Sequence, residues 1–216
     1  MPGATAHQPR FGLKAPQGLE YLRSQLGRRA GGQVQRDPPA VAAKLADQAR
    51  HLAGTRPSAA AALATAVAAR AHAVAGNRPV ALAAINEAET IADRLTPRQQ
   101  ADTWVGYPEQ KHRVHMSQAL TLLGETGRAH DTQRRALEIT RTPSLMTRAL
   151  LDIDHAACRL HDGAPDEAAD IATGAFDALP GSYRHGLTRT RALSVYRSLP
   201  SATPGRAALA DALRAA

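Results

Sequence analysis

Asp152, His155 and Cys158 follow one another at three-residue steps, so on a helix an acid, an imidazole and a thiol would share one face. That line could do general acid–base or nucleophilic work, with Asp154, His161 and Asp162 beside it. His112 and His115, also three apart, place two imidazoles where a divalent ion could bridge them. Trp104 and Tyr107, in the run WVGYPEQ, could stack on a flat ligand. Each group also has a plainer expectation. No HExxH and no pair of cysteines accompanies the histidines, and two ligands do not make a zinc site. Cys158 sits among alanines, where a buried and inert thiol is expected. The only tryptophan is expected to anchor its segment onto the helices. No GxxxxGK or GxGxxG occurs to cradle a phosphate or a dinucleotide. The expectation is therefore no catalytic residue, no metal, no cofactor and no enzymatic activity.

Helices must carry these residues. Gly and Pro punctuate the chain at Gly54–Pro57, Gly76–Pro79, Thr96–Pro108, Gly124–Gly127, Thr142–Pro143, Gly163–Pro165, Pro180–Gly181 and Pro200–Pro204. Between the breaks, apolar side chains return at three- and four-residue spacing, as in Leu150, Ile153, Ala157 and Leu160. Of the 216 residues, 47 are alanine and only 7 are Trp, Tyr or Phe. Alanine is the strongest helix former and lets helices approach closely, so an all-α fold packed through small side chains is predicted.

Charge divides the chain differently. Residues 1–36 and residues 183–216 each hold six bases and one acid, whereas the stretch between carries a net charge of −2. Basic ends on a near-neutral body can attract nucleic acid, which supplies the alternative functional reading; solvated termini are the commoner outcome. The single cysteine rules out an internal disulfide, and neither a secretion leader nor an eighteen-residue apolar run is found, so a cytoplasmic protein without membrane contact is expected. The predicted organisation is a poorly ordered basic segment over 1–37, a helical domain over 38–199 and a tail over 200–216 with at most a short helix.

Aligning the segments on their turn glycines brings out a repeat. GNRPVALAAINEA from Gly76, GETGRAHDTQRRA from Gly124 and GAPDEAADIATGA from Gly163 each place alanine five residues after the glycine (Ala81, Ala129, Ala168) and again seven further on (Ala88, Ala136, Ala175). A small residue precedes each glycine by seven: Ala69, Ser117 and Ala156. The glycine would end the first helix of a pair, and the small residues would let its two helices touch. Such a pair cannot bury its apolar face alone, so neighbours must stack. The helix over 40–52 would be the second half of a further pair, with Ala42 and Ala49 in the same register; its exposed edge would be covered by the 18–29 segment or by a second copy of the chain.

This pattern resembles the tetratricopeptide repeat, and more narrowly the repeat region at the C-terminal end of actinobacterial helix-turn-helix transcriptional regulators. The resemblance implies antiparallel helix pairs stacked as a right-handed superhelix, a scaffold that binds a protein or peptide in transcriptional regulation or signalling. First helices line the concave face in that family, which carries a partner-binding groove onto Arg70, Lys111, Val114, Gln118, Leu150, Ile153 and Ala157. The glycine spacings of 48 and 39 residues exceed the family's period of about 34. The dense Lys and Asn of a carboxylate clamp are absent, so capture of a chaperone tail is not expected.

Overall fold

A computed structural model describes residues 39–139 and 144–215. All regular structure among them is helical: α1 (Pro39–Ala53), α2 (Ala59–Val74), α3 (Arg78–Ala92), α4 (Glu109–Leu122), α5 (Thr126–Ile139), α6 (Leu145–His161), α7 (Pro165–Asp177), α8 (Leu187–Ser198) and α9 (Arg206–Arg214), with a 3₁₀ turn at Gly181–Tyr183. No helix among the described residues is long and apolar enough to cross a membrane. The segment 1–37 and the break at Thr142–Pro143 lie outside the described residues.

The three aligned glycines do what their spacing predicts. Gly76, Gly124 and Gly163 take φ of +73°, +69° and +82°, a region where a side chain is strained. At each one the next amide reaches back to the carbonyl five residues earlier: Asn77 to His72 (2.9 Å), Glu125 to Leu120 (3.0 Å) and Ala164 to Arg159 (2.9 Å). That closure satisfies the orphan carbonyls at the helix end and turns the chain within three residues, giving the hairpins α2/α3, α4/α5 and α6/α7. The small residues fall at the contacts. Ala69, Ser117, Ala156, Ala81, Ala88, Ala129, Ala136 and Ala168 are all sealed from solvent.

Packing runs in one direction. α2 touches α1, α3 and α4; α4 then touches α6, so the first helices of the three hairpins lie against one another, and α6 touches α8 in turn. Ser58 opens α2, its Oγ accepting the Ala61 amide at 3.1 Å, and Ser144 caps α6 in the same way at Thr147. Two apolar cores result. One gathers Ile85, Leu95, Tyr107, Met116 and Leu120 with the alanines of α2 and α3. The other surrounds Phe176 with Ile153, Leu179, Val195, Leu199 and Leu209.

Three expectations need correction. The stripe that α1 buries is Ala43, Ala46 and Ala49, while Ala42 faces solvent; small residues at successive three-residue steps form the face that meets α2, and Ala42 falls beside it. The stretch 200–216 holds the short helix allowed for it, but that helix is packed and does not trail as a tail. Its helix α9 buries Leu209, Ala212 and Leu213 against α7 and α8, and Gly205 approaches so closely that an added Cβ would lie 2.9 Å from the Ala169 methyl. Finally, the buried ring of the insert before α4 is that of Tyr107 and not that of Trp104. Tyr107 is 1% exposed and its amide binds the Gln99 carbonyl at 2.8 Å, whereas Trp104 is 71% exposed. A phenol at the end of the insert reaches the α2/α4 seam.

Candidate functional site

The face built from the first helices carries most of the buried polarity among the described residues. Ser117, Asp154 and Arg191 come from α4, α6 and α8, and in the sequence each stands 37 residues from the next. Ser117 Oγ donates to Asp154 Oδ2 at 2.9 Å, and Arg191 Nη1 donates to both Asp154 oxygens at 3.0 Å. The ion pair is closed off from water, with Asp154 at 4% and Arg191 at 7% exposure. Arg191 Nη2 continues to Gln118 Oε1 at 2.7 Å. Gln133 of α5 donates to Ser117 Oγ at 3.2 Å, and Thr121 meets Cys158 Sγ at 3.3 Å. Burial pushes the Asp154 carboxyl above its usual range, against the pull of Arg191 and the Ser117 hydroxyl.

Next to this tract, Arg70 of α2 reaches His115 of α4, Nη1 to Nδ1 at 3.0 Å. A guanidinium only donates, so Nδ1 carries the lone pair and the ring proton sits on Nε2. Tyr107 stacks along the same imidazole at 6.2 Å between centroids and meets His112 edge-on, its hydroxyl 3.3 Å from His112 Nδ1. Burial, helped by the charges of Arg70, Arg191 and Lys111, drives the His115 pKa down to about 3. Burial likewise lowers His112, to about 4. Both imidazoles are neutral at physiological pH. Arg70 itself is lowered to about 10, first by desolvation and then by the charge of Arg191.

Of the groove residues carried over from the repeat register, Arg70, Lys111 and Gln118 join this polar face, Val114 is half-buried on α4, and Ala157 is half-buried and packs against the Phe176 core. Lys111 holds the end of the insert through Nζ to the Gly106 carbonyl at 3.3 Å. Leu150 and Ile153 are a correction. Both are buried, Ile153 within the Phe176 core, so neither is open to a partner. Sequence reasoning does not bring His115, Asp154 and Arg191 to this face. The signal that could have found the last two is the equal 37-residue step from Ser117 to Asp154 to Arg191.

The line Asp152, His155, Cys158 comes apart in the folded chain. Cys158 is sealed in the Tyr107 core, its thiol raised by burial and bonded to Thr121. Asp152 and His155 instead line a cleft of about 610 Å³ between α5, α6 and α7, together with His130, Gln133, Arg159 and Glu167. There His130 and His155 approach edge-on with their Nδ1 atoms 3.2 Å apart, and His130 Nε2 lies 3.2 Å from Asp162. Arg159 is tied to Glu167 at 2.7 Å. His112 meets Tyr107, and His115 meets both Tyr107 and Arg70; among the described residues no three His, Cys, Asp or Glu side chains are grouped to hold a metal.

Set against family models, curated proteins and solved structures, the chain finds no match.

Proposed function

We propose that this chain is a non-catalytic helical repeat scaffold, a right-handed superhelix of the tetratricopeptide kind, whose first-helix face binds a protein or peptide in regulation or signalling. The observation that carries the reading is the order of packing: first helix against first helix through α2, α4 and α6, with α8 against α6 in turn. Such an array offers one continuous face to an extended or helical segment, and here that face presents Arg70, Lys111, Val114 and Gln118 side by side with a buried polar floor. The non-catalytic part rests on the site chemistry. The thiol is sealed, the buried carboxylate is committed to Arg191, and the imidazoles of α4 are committed to Arg70 and Tyr107.

Selection from a displayed random peptide library on the full chain tests this. Enriched peptides should bind with micromolar or better affinity and lose it on Lys111→Glu or Val114→Glu, while Arg135→Glu on α5 leaves binding intact. No enrichment, or equal losses for all three variants, overturns the reading.

A further inference from the structure

The cleft between α5, α6 and α7 gathers more carboxylates than cations, in a chain whose formal charge is +8. Its two lining guanidiniums are already matched. Arg159 is bound to Glu167 at 2.7 Å and lies 3.5 Å from Asp162, and Arg134 is bound to Asp131 at 2.6 Å with Glu138 at 3.9 Å. Each therefore answers to two carboxylates. Asp152 is left over: half-buried in the cleft wall, it makes no hydrogen bond and no close ion pair among the described residues. Burial pushes its carboxyl above the usual range, and the charges of Arg148, exposed one turn earlier, and His155, one turn later, offset that only in part. A desolvated carboxylate without a partner is costly, and a cation that brings its own hydrogen-bond donors relieves the cost.

The neutral groups beside Asp152 have the same bias. Gln133 donates its NH₂ to Ser117, which turns its Oε1 to His155 Nδ1 at 3.3 Å. An amide oxygen only accepts, so the proton of a neutral His155 sits on Nδ1 and the lone pair on Nε2. His130 agrees with that assignment: its Nε2 donates to Asp162 at 3.2 Å, and its Nδ1 accepts from His155 at 3.2 Å. His155 Nε2 is thus an acceptor three residues along α6 from Asp152, in the same cleft, and the two side chains feel each other's charge. Leu137 and Leu151 add an apolar wall. We infer that this cleft binds a guanidinium on an aliphatic stem, as in an alkylguanidine or an arginine side chain, with Asp152 as its anchor and His155 Nε2 as a second acceptor. A flat guanidinium meets a carboxylate through two parallel N–H bonds and keeps further N–H groups for the imidazole. It also loses less hydration than an ammonium, while its stem covers the leucines. The cleft, at about 610 Å³, admits the head group together with its stem. The inference uses none of Arg70, Lys111, Val114 or Gln118, so it stands apart from peptide binding on the first-helix face.

Butylguanidinium should be titrated into the full chain at neutral pH and constant ionic strength. It should move the ring signals of His130 and His155 in nuclear magnetic resonance spectra, saturate in the millimolar range and raise the melting temperature. Butylurea, neutral and of the same shape, should do none of this, and butylammonium should bind more weakly. Asp152→Asn should weaken butylguanidinium on the order of tenfold or more, the loss of a charge-assisted contact. The same variant should leave the melting temperature of the free chain unchanged or higher, because a desolvated carboxylate is removed. Weakening of binding as pH falls through the carboxylate range serves if the variant does not fold, since a protonated Asp152 no longer attracts a cation. Asp102→Asn, exposed in the insert before α4, should bind as the parent does. Blocked glycine pentapeptides with a central arginine or citrulline separate the two sources. Binding of the arginine peptide alone assigns the cleft to a side chain of a partner, and failure of both beside bound butylguanidinium assigns it to a free small molecule. Equal binding of butylurea, equal strength of butylammonium, or undiminished binding in Asp152→Asn would each overturn the inference.

Discussion

α2 and α6 are both first helices of a hairpin, yet they are held in place by different chemistry. α2 is pressed between α1, α3 and α4 through alanine methyls, with Ala61, Ala62, Ala64, Ala66, Ala68 and Ala69 all buried. α6 buries a carboxylate, Asp154, which a serine from α4 and an arginine from α8 close off. Alanine contacts bring helices close but distinguish poorly between one register and the next, since one methyl resembles another. A buried hydrogen-bonded pair has one arrangement in which both partners are satisfied, and every slipped register leaves a charge stranded. The insert before α4 supplies the register at the α2 end by other means, with Tyr107 driven into the seam.

The sharpest way to break the contrast is at its polar end. Arg191→Ala leaves Asp154 buried and unpaired, and denaturant unfolding should show a loss of about 3 to 5 kcal/mol. Replacing both partners, Asp154→Leu with Arg191→Met, should recover most of that loss, and a double variant as unstable as the single one would mean that the pair does more than satisfy itself. At the dry contacts, Ala129→Leu or Ala168→Leu should cost about 1 to 3 kcal/mol through overpacking, read by the same unfolding curves. Gly124→Ala forces a side chain to φ of +69° and should cost about 1 to 2 kcal/mol, although the nearest foreign atom to the new methyl, on His161, is 3.7 Å away. The strain there is in the backbone and not in crowding.

A last test concerns pH, where the effect is absent at neutral pH and grows only on acidification. His112 and His115 are neutral when folded, with pKa values lowered to about 4 and about 3. In the unfolded chain they would take protons near the ordinary value of about 6.5, so unfolding gains protons and stability falls as pH drops from about 6.5 towards about 3, then levels off in this contribution. His115→Gln should flatten that limb in melting temperatures measured across the range.

The hairpin skeleton is legible in the sequence because it is local. A glycine that must adopt positive φ and alanines at fixed offsets leave a mark within a dozen residues, and Gly76, Gly124 and Gly163 leave it three times. The polar tract is far less legible, because its partners come from different hairpins. Ser117 reads in the sequence as a merely small residue and Asp154 as one acid among several around His155; only the folded chain shows that the first binds the second and that neither belongs with Asp152. The borrowed register carries Leu150 and Ile153 into the groove for a related reason: it does not tell that α6 buries both, Ile153 against Phe176. Trp104 and Tyr107 exchange roles because composition tells that an insert needs an anchor, not which ring reaches the seam.

That exchange has a practical consequence for anyone following this protein by its intrinsic fluorescence. The only indole of the chain already faces solvent. Its emission will start near the wavelength of free tryptophan, and melting of either core will shift it little. Far-ultraviolet dichroism, or a reporter placed in the second core by Phe176→Trp, would follow the collapse that Trp104 does not see.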